Sequence, residues 1–195
     1  MVSHAIADPV DRWANWVIRA EGRFDESDRL VVYPLPPGDG GGSYEVAGIN
    51  DRYHPLKAAR LRSLIERGQH TRAELEAREY IVEYTQAAGA WHPDRRVQAY
   101  LHDCHFNRGR KGAVIILQIA LQTAGLYAGP LDGIPGRGTL SGAARLAAED
   151  LIPRLTLARQ SYERLHVGRD ESSKFWNGLT NRWISCQQLC LPPST

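Results

Sequence analysis

From Gly112 to Ala124 the chain reads GAVIILQIALQTA, apolar on more than one side of any helix it forms, with only Gln118 interrupting Ala113 to Leu121. A helix that is apolar nearly all round must be wrapped by other elements. The run is far shorter than the roughly 20 residues that span a bilayer, so it belongs at the centre of a helical bundle and no stable membrane insertion is expected.

The flanking sequence supplies the wrapping. Leu56 to Arg67 and Thr71 to Ala87 read as two helices punctuated by Gly68, and Thr71 with Glu74 three residues on has the pattern of a capping box. Pro93 to Cys104 places Val97, Tyr100, Leu101 and Cys104 at core spacing. Thr139 to Asp150, Pro153 to His166 and Lys174 to Leu189 complete the helical set, and Pro192-Pro193 opens a polar tail at 192–195. At the other end Asp8-Pro9 starts a short amphipathic helix carrying Val10, Trp13 and Val17 up to Glu21, where Gly22 suits a left-handed terminating residue. Only Leu30 to Tyr33 and Ser43 to Ala47 are β-prone, and prolines and glycines between them predict a hairpin over about 29–48 with a long tip. The expected fold class is therefore all-α, or mainly α with one small hairpin.

Charge narrows the function classes. Lys and Arg number 24 against 22 Asp and Glu, a formal charge of +2, which lacks the electrostatic footprint of a nucleic-acid binder. Three cysteines are too few for a disulfide scaffold. Cys186 and Cys190 share a helix face, so Cys104 with one of them is the only bridge compatible with helical geometry. The start, MVSHAIADP, has neither a basic segment nor an apolar core, so the expectation is synthesis in the cytoplasm without a signal peptide.

Two constellations carry chemistry. Glu21 stands on the apolar side of a helix end, and Asp25, Asp28, Asp39 and Glu45 follow within a few dozen residues. Desolvation disfavours the charged form of a carboxyl, and a general acid must hold its proton near neutral pH. Asp132 to Thr139 is the second, a Gly-rich turn in which Thr139 suits the cap of the next helix. His102-Asp103-Cys104-His105 offers at most two histidines to one ligand set, short of the four that a structural zinc site uses, so no metal is expected. Asp103 and Asn107, one turn apart, suit a brace between helices. Arg108, Arg110 and Lys111 form a basic cluster that suits either solvent or an anionic polymer.

Glu21-Gly22, Gly48-Ile49, Asp103 to Gly109, Leu117-Gln118 with Ala120-Leu121, Asp132-Gly133 to Thr139, Arg159 with Tyr162, and Phe175 with Gly178 and Arg182 occur in the order seen in glycoside hydrolase family 108, which the chain resembles from about Trp13 to Arg182. The resemblance implies a lysozyme-like catalytic part at 1–110, with the hairpin beside an active-site cleft, and a C-terminal helical peptidoglycan-binding part at 111–191. Glu21 stands where that family has the catalytic glutamate of Glu-Gly-Gly, with Arg23 at the third place. Aligned backward from Gly48-Ile49, Glu45 occupies a place where the family has threonine, and one residue is extra.

Cleavage of a glycoside needs one protonated carboxyl and a second group that attacks carbon or activates water. Glu21 is the expected acid and Glu45 the favoured second group, with Asp25 its local competitor. Tyr33, Tyr44 and Tyr53 offer flat faces and hydroxyls to sugars, and Arg23 and Asn107 are further candidate substrate contacts. What the resemblance implies is a muramidase needing no cofactor, acting on the peptidoglycan glycan strand outside the cytoplasm. Delivery then calls on a holin, a secretion apparatus or a phage particle, with an inhibitor or immunity protein as a further partner. The alternatives are a wall-binding module without turnover, a peptidoglycan endopeptidase and a chitinase.

Overall fold

The computed structural model describes residues 8–36 and 42–192. The expected hairpin tip, with Asp39, and the last three residues of the expected tail lie outside the described residues. The chain forms two compact units, one from Ala14–Glu83 and the other from the chain up to Trp13 together with the chain from Tyr84 onward. The division expected at 110/111 falls inside the second of these, beside a break in its longest helix.

Helix α1 (Pro9–Glu21) begins as its sequence dictates, with the Asp8 carboxylate accepting the Val10 N–H at 2.9 Å. Its buried residues Val10, Trp13, Ala14, Val17 and Ile18 recur at steps of three and four. In the Ala14–Glu83 unit the chain leaves α1 into five short strands rather than one hairpin. Strand β1 (Arg23–Phe24) pairs antiparallel with β2 (Leu30–Val31). Strands β3 (Tyr33–Pro34), β4 (Tyr44–Val46) and β5 (Ile49–Asn50) form a second antiparallel sheet in sequence order. The β-prone run Leu30 to Tyr33 is thus divided at Val32 between two sheets. Ala47 (φ 52°) and Gly48 (φ 74°) are both left-handed, the geometry of a two-residue turn whose twist matches the flanking strands. That turn sets Val46 opposite Ile49, both fully buried.

Gly22 does not end α1 in the left-handed conformation that its position suggests. It is needed for close approach instead: a Cβ there would lie 2.5 Å from the Ile18 carbonyl oxygen, 2.8 Å from the Phe24 ring and 3.0 Å from Leu30. Helix α2 (Pro55–Glu66) stops at Gly68, which is left-handed at φ 72°. Helix α3 (His70–Thr85) starts one residue before the expected capping box, so Thr71 lies within the first turn and Glu74 pairs with Arg19 at 3.3 Å.

The second unit is built on α4 (Arg95–Thr123), capped by Asp94, whose carboxylate accepts the Arg96 N–H at 2.8 Å. Two expected helices are joined here, with a break at Gly109 (φ 65°, ψ 171°) that only glycine adopts without strain. Every residue from Val97 to His105 and from Gly112 to Leu121 is buried, as an apolar central helix requires. Helices α5 (Arg137–Ala143), α6 (Ala148–Tyr162) and α7 (Trp176–Cys190) pack on it, α6 most extensively. Pro153 lies inside α6 rather than at its head, and the segment expected to run from Thr139 to Asp150 is divided between α5 and α6. Complete burial of Ala148, Leu151, Ile152 and Leu155 along one face outweighs the roughly 3 kcal/mol that an internal proline costs. Cys104, Cys186 and Cys190 are buried free thiols, and burial pushes Cys104 up to about 12. The fold is mainly helical with short antiparallel strands, and no helix among the described residues is long and apolar enough to cross a membrane.

Candidate functional site

Glu21 is the last residue of α1 and is half-buried. The Gly22 N–H donates to the Ile18 carbonyl at 2.8 Å, which closes the helix and turns the chain directly into β1. Arg23, the first residue of β1, lays its guanidinium 4.9 Å from the centre of the Tyr33 ring. Tyr33 in turn stands opposite Glu45 across the β3–β4 pair, and Glu45 stands opposite Asn50 across the β4–β5 pair. Directly opposed residues of antiparallel strands share a face, with Cβ atoms about 4.5–5.5 Å apart. Strand pairing therefore sets Tyr33, Glu45 and Asn50 in one row, and the contact of the Arg23 guanidinium with the Tyr33 ring joins to it a residue of the other sheet, two positions after Glu21. Glu45 is half-buried within the row.

Asp25 has a different task. Its Oδ1 accepts the backbone N–H groups of Ser27 at 2.9 Å and Arg29 at 3.0 Å, and its Oδ2 pairs with the Arg29 guanidinium at 2.8 Å. Arg29, through its side chain and then its backbone N–H, holds the Asp25 carboxyl below its ordinary range. These bonds close the turn between β1 and β2, and a carboxylate so engaged is a poor nucleophile or base. Asp25 is thus committed to the turn between β1 and β2.

Tyr44 departs from the row. Alternation along β4 puts it on the Val46 side, and there the Arg62 guanidinium of α2 lies 5.1 Å from its ring. Tyr53 is exposed and follows β5, beyond a turn in which Asn50 Oδ1 accepts its N–H at 2.9 Å. Asn107 belongs to the other compact unit, where its Oδ1 accepts from Arg159 at 3.3 Å.

That other unit absorbs the remaining motifs into its own packing. Asp103, fully buried, accepts from Arg159 and Arg182 at 2.7 Å each and from the Trp13 indole at 3.2 Å. Burial raises the Asp103 carboxyl, but the charges of Arg182 and Arg159 outweigh it and hold the group down at about 2. Sequence spacing anticipates a brace at Asp103 and Asn107, yet not its arginines, which lie 56 and 79 residues further along. Gln118, buried in α4, donates to Asp132 Oδ1 at 2.7 Å and the Ile134 carbonyl at 3.2 Å and accepts the Gly133 N–H at 3.1 Å. The Gly-rich turn is thus pinned to the central helix. Arg108 pairs with the buried Glu163 at the start of a π-helical segment, so it is not part of an open basic patch. His102 bonds Thr85 at 2.7 Å, and His105 stacks on Trp91. Among the described residues no group of three or more His, Cys, Asp or Glu is arranged to hold a metal ion.

No family model matches the sequence. No curated protein matches it either. The fold is similar to that of a solved structure of Brucella abortus SagA, with a TM-score of 0.60, 90% of each chain covered and 23% sequence identity.

Proposed function

We propose that the chain is a peptidoglycan hydrolase that cleaves the glycan strand between its amino sugars, with Glu21 as general acid and Glu45 as the group that activates water or stabilises the developing cation. The contact of Arg23 with Tyr33 and the pairing of Tyr33 with Glu45 carry this reading, because they bring a second carboxylate back alongside the residues that follow Glu21. Two carboxyl groups on opposed elements are the minimum equipment for glycoside cleavage. The resemblance to glycoside hydrolase family 108 supplies the substrate class and the expectation that Glu21 is the acid. Tyr33, with an apolar ring and a polar tip, is suited to pack against a sugar between the two groups. Arg23 holds that ring from the α1 side and adds a cation beside the path of the strand.

The mechanism follows from the two roles. Glu21 gives its proton to the glycosidic oxygen as the bond to the anomeric carbon lengthens. Glu45 faces the positive charge that accumulates on the sugar ring, and a water that adds to the anomeric carbon gives up its proton to a carboxylate as the new C–O bond forms. Gly22, which leaves room for Ile18, Phe24 and Leu30, lets the chain pass from α1 directly into β1 after Glu21.

The deciding experiment uses purified sacculi and counts new reducing ends. Wild-type protein releases them, and Glu21→Gln, which keeps shape and removes the acid, lowers the rate by about 10²–10⁴-fold with thermal melting unchanged. A Glu21→Gln variant with near-wild-type release overturns the assignment. Wild-type protein that pellets with sacculi and leaves them uncut is a wall-binding module, and one that releases amino groups from stem peptides is an endopeptidase.

A further inference from the structure

A cleft of about 430 Å³ opens at the head of α2, lined by Tyr53, His54, Leu56, Lys57, Arg60 and Tyr80. All of these lie in the Ala14–Glu83 unit. Its volume falls in the range of small-ligand sites, roughly 300–1,000 Å³. The chain enters it directly from Asn50, which stands opposite Glu45: the Asn50 side chain accepts the Tyr53 N–H and its carbonyl accepts the His54 N–H at 3.0 Å.

Its two walls are chemically distinct. The Tyr80 hydroxyl shares a hydrogen bond of 2.9 Å with His54 Nδ1, which orients its ring, while Tyr53 is 65% exposed. Exposed, oriented aromatic faces suit the apolar face of a sugar ring. The cations differ in commitment. Arg60 is engaged in a fork with Glu76 at 2.9 and 3.1 Å. Lys57, by contrast, sits 5.1 Å from the Tyr80 ring centre and forms no ion pair among the described residues. The cleft therefore presents two tyrosine rings and, over one of them, an ammonium without a carboxylate partner, and no carboxylate lines it.

We infer that this cleft is a subsite for the acidic amino sugar of the glycan strand, with Tyr53 and Tyr80 against the ring and Lys57 on a carboxylate of the 3-O-lactyl substituent or of the stem peptide attached to it. The inference rests on the proposed glycan substrate and deepens it, since it assigns the recognition of N-acetylmuramic acid over N-acetylglucosamine to a strand-adjacent cleft.

The test titrates the full-length chain, as wild type and as Glu21→Gln, by calorimetry with three probes: tetra-N-acetylchitotetraose, a peptide-free glycan oligomer bearing free lactyl carboxylates, and a muropeptide. Lys57→Met keeps the apolar stem and removes the charge. It is expected to weaken the acidic probes by about tenfold, the worth of one charge-assisted contact, and to leave chitotetraose within about twofold. Loss confined to the muropeptide assigns the contact to a stem-peptide carboxylate, loss confined to the peptide-free oligomer assigns it to the lactyl carboxylate, which the stem peptide amidates in the muropeptide, and loss with both shows that Lys57 takes either carboxylate. An equal effect on all three probes, or none on any, overturns the inference. Circular dichroism of Lys57→Met confirms that the fold is retained. If Lys57→Met changes nothing while Glu21→Gln abolishes reducing-end release, the cleft assignment fails and the hydrolase stands. If acidic glycans bind through Lys57 but wild type releases no reducing ends, the hydrolase fails and the cleft stands.

Discussion

Replacing Asp103 with alanine leaves the Arg159 guanidinium, whose side chain is 2% exposed, without its carboxylate, and deprives Arg182 of the same partner. Removing one member of a buried ion pair costs about 3–5 kcal/mol, because the remaining charge stays desolvated. At roughly 2–4 °C per kcal/mol for a chain of this size, the melting temperature should fall by about 6–20 °C. The same network sets an acid limb. The Asp103 carboxyl is held at about 2 against an ordinary 3.8, so its folded value is depressed. Its contribution is therefore fully present above about pH 4 and is lost as pH falls toward 2. The shift corresponds to about 2 kcal/mol, of which roughly half is gone by pH 3. Urea midpoints for wild type and Asp103→Ala, taken at pH 7 and pH 3, should thus converge by about 1 kcal/mol on acidification. A second variant, Asp103→Leu with Arg159→Met, removes two of the three charges, leaving Arg182, and should be less destabilised than the two single changes together. Single changes worth less than about 1 kcal/mol, or a wild type to alanine gap that does not narrow in acid, would refute the argument that this buried cluster stabilises its unit.

Glu45→Gln should impair reducing-end release as strongly as Glu21→Gln, whereas Asp25→Asn should mainly lower the melting temperature by loosening the β1–β2 turn; the reverse pattern would exchange their roles. Gly22→Ala should destabilise by about 1–3 kcal/mol in urea titration, since its methyl group would lie 2.5 Å from the Ile18 carbonyl oxygen. Gln118→Ala strands the Gly133 N–H and should cost roughly 1–3 kcal/mol in the same assay, and Gln118→Glu should be worse because it sets a carboxylate against Asp132.

Local pattern was sufficient wherever a residue's role depends on its near neighbours. Local pattern marks α1, α2, α3 and α7 within a few positions, because amphipathic spacing is itself the condition for burying a helix face, whereas the joining of two expected helices into α4 was not legible. The all-apolar stretch after Gly112 similarly had to become the central helix. Glu21 at a helix end and the bracing use of Asp103 were legible for the same reason. Pairing between distant segments was not. Two-residue strands such as β1 and β5 carry too little pattern to announce themselves, and only their hydrogen-bonded register puts Tyr33 opposite Glu45 and Tyr44 on the other face. Gly22 shows the difference sharply: its sequence position suggests a backbone conformation, while the structure requires it for the space that Ile18, Phe24 and Leu30 leave. Asp103 likewise named itself as a brace, but which arginines it holds was decided by how α6 and α7 pack on α4, since a buried carboxylate takes whatever cations the tertiary fold brings within reach.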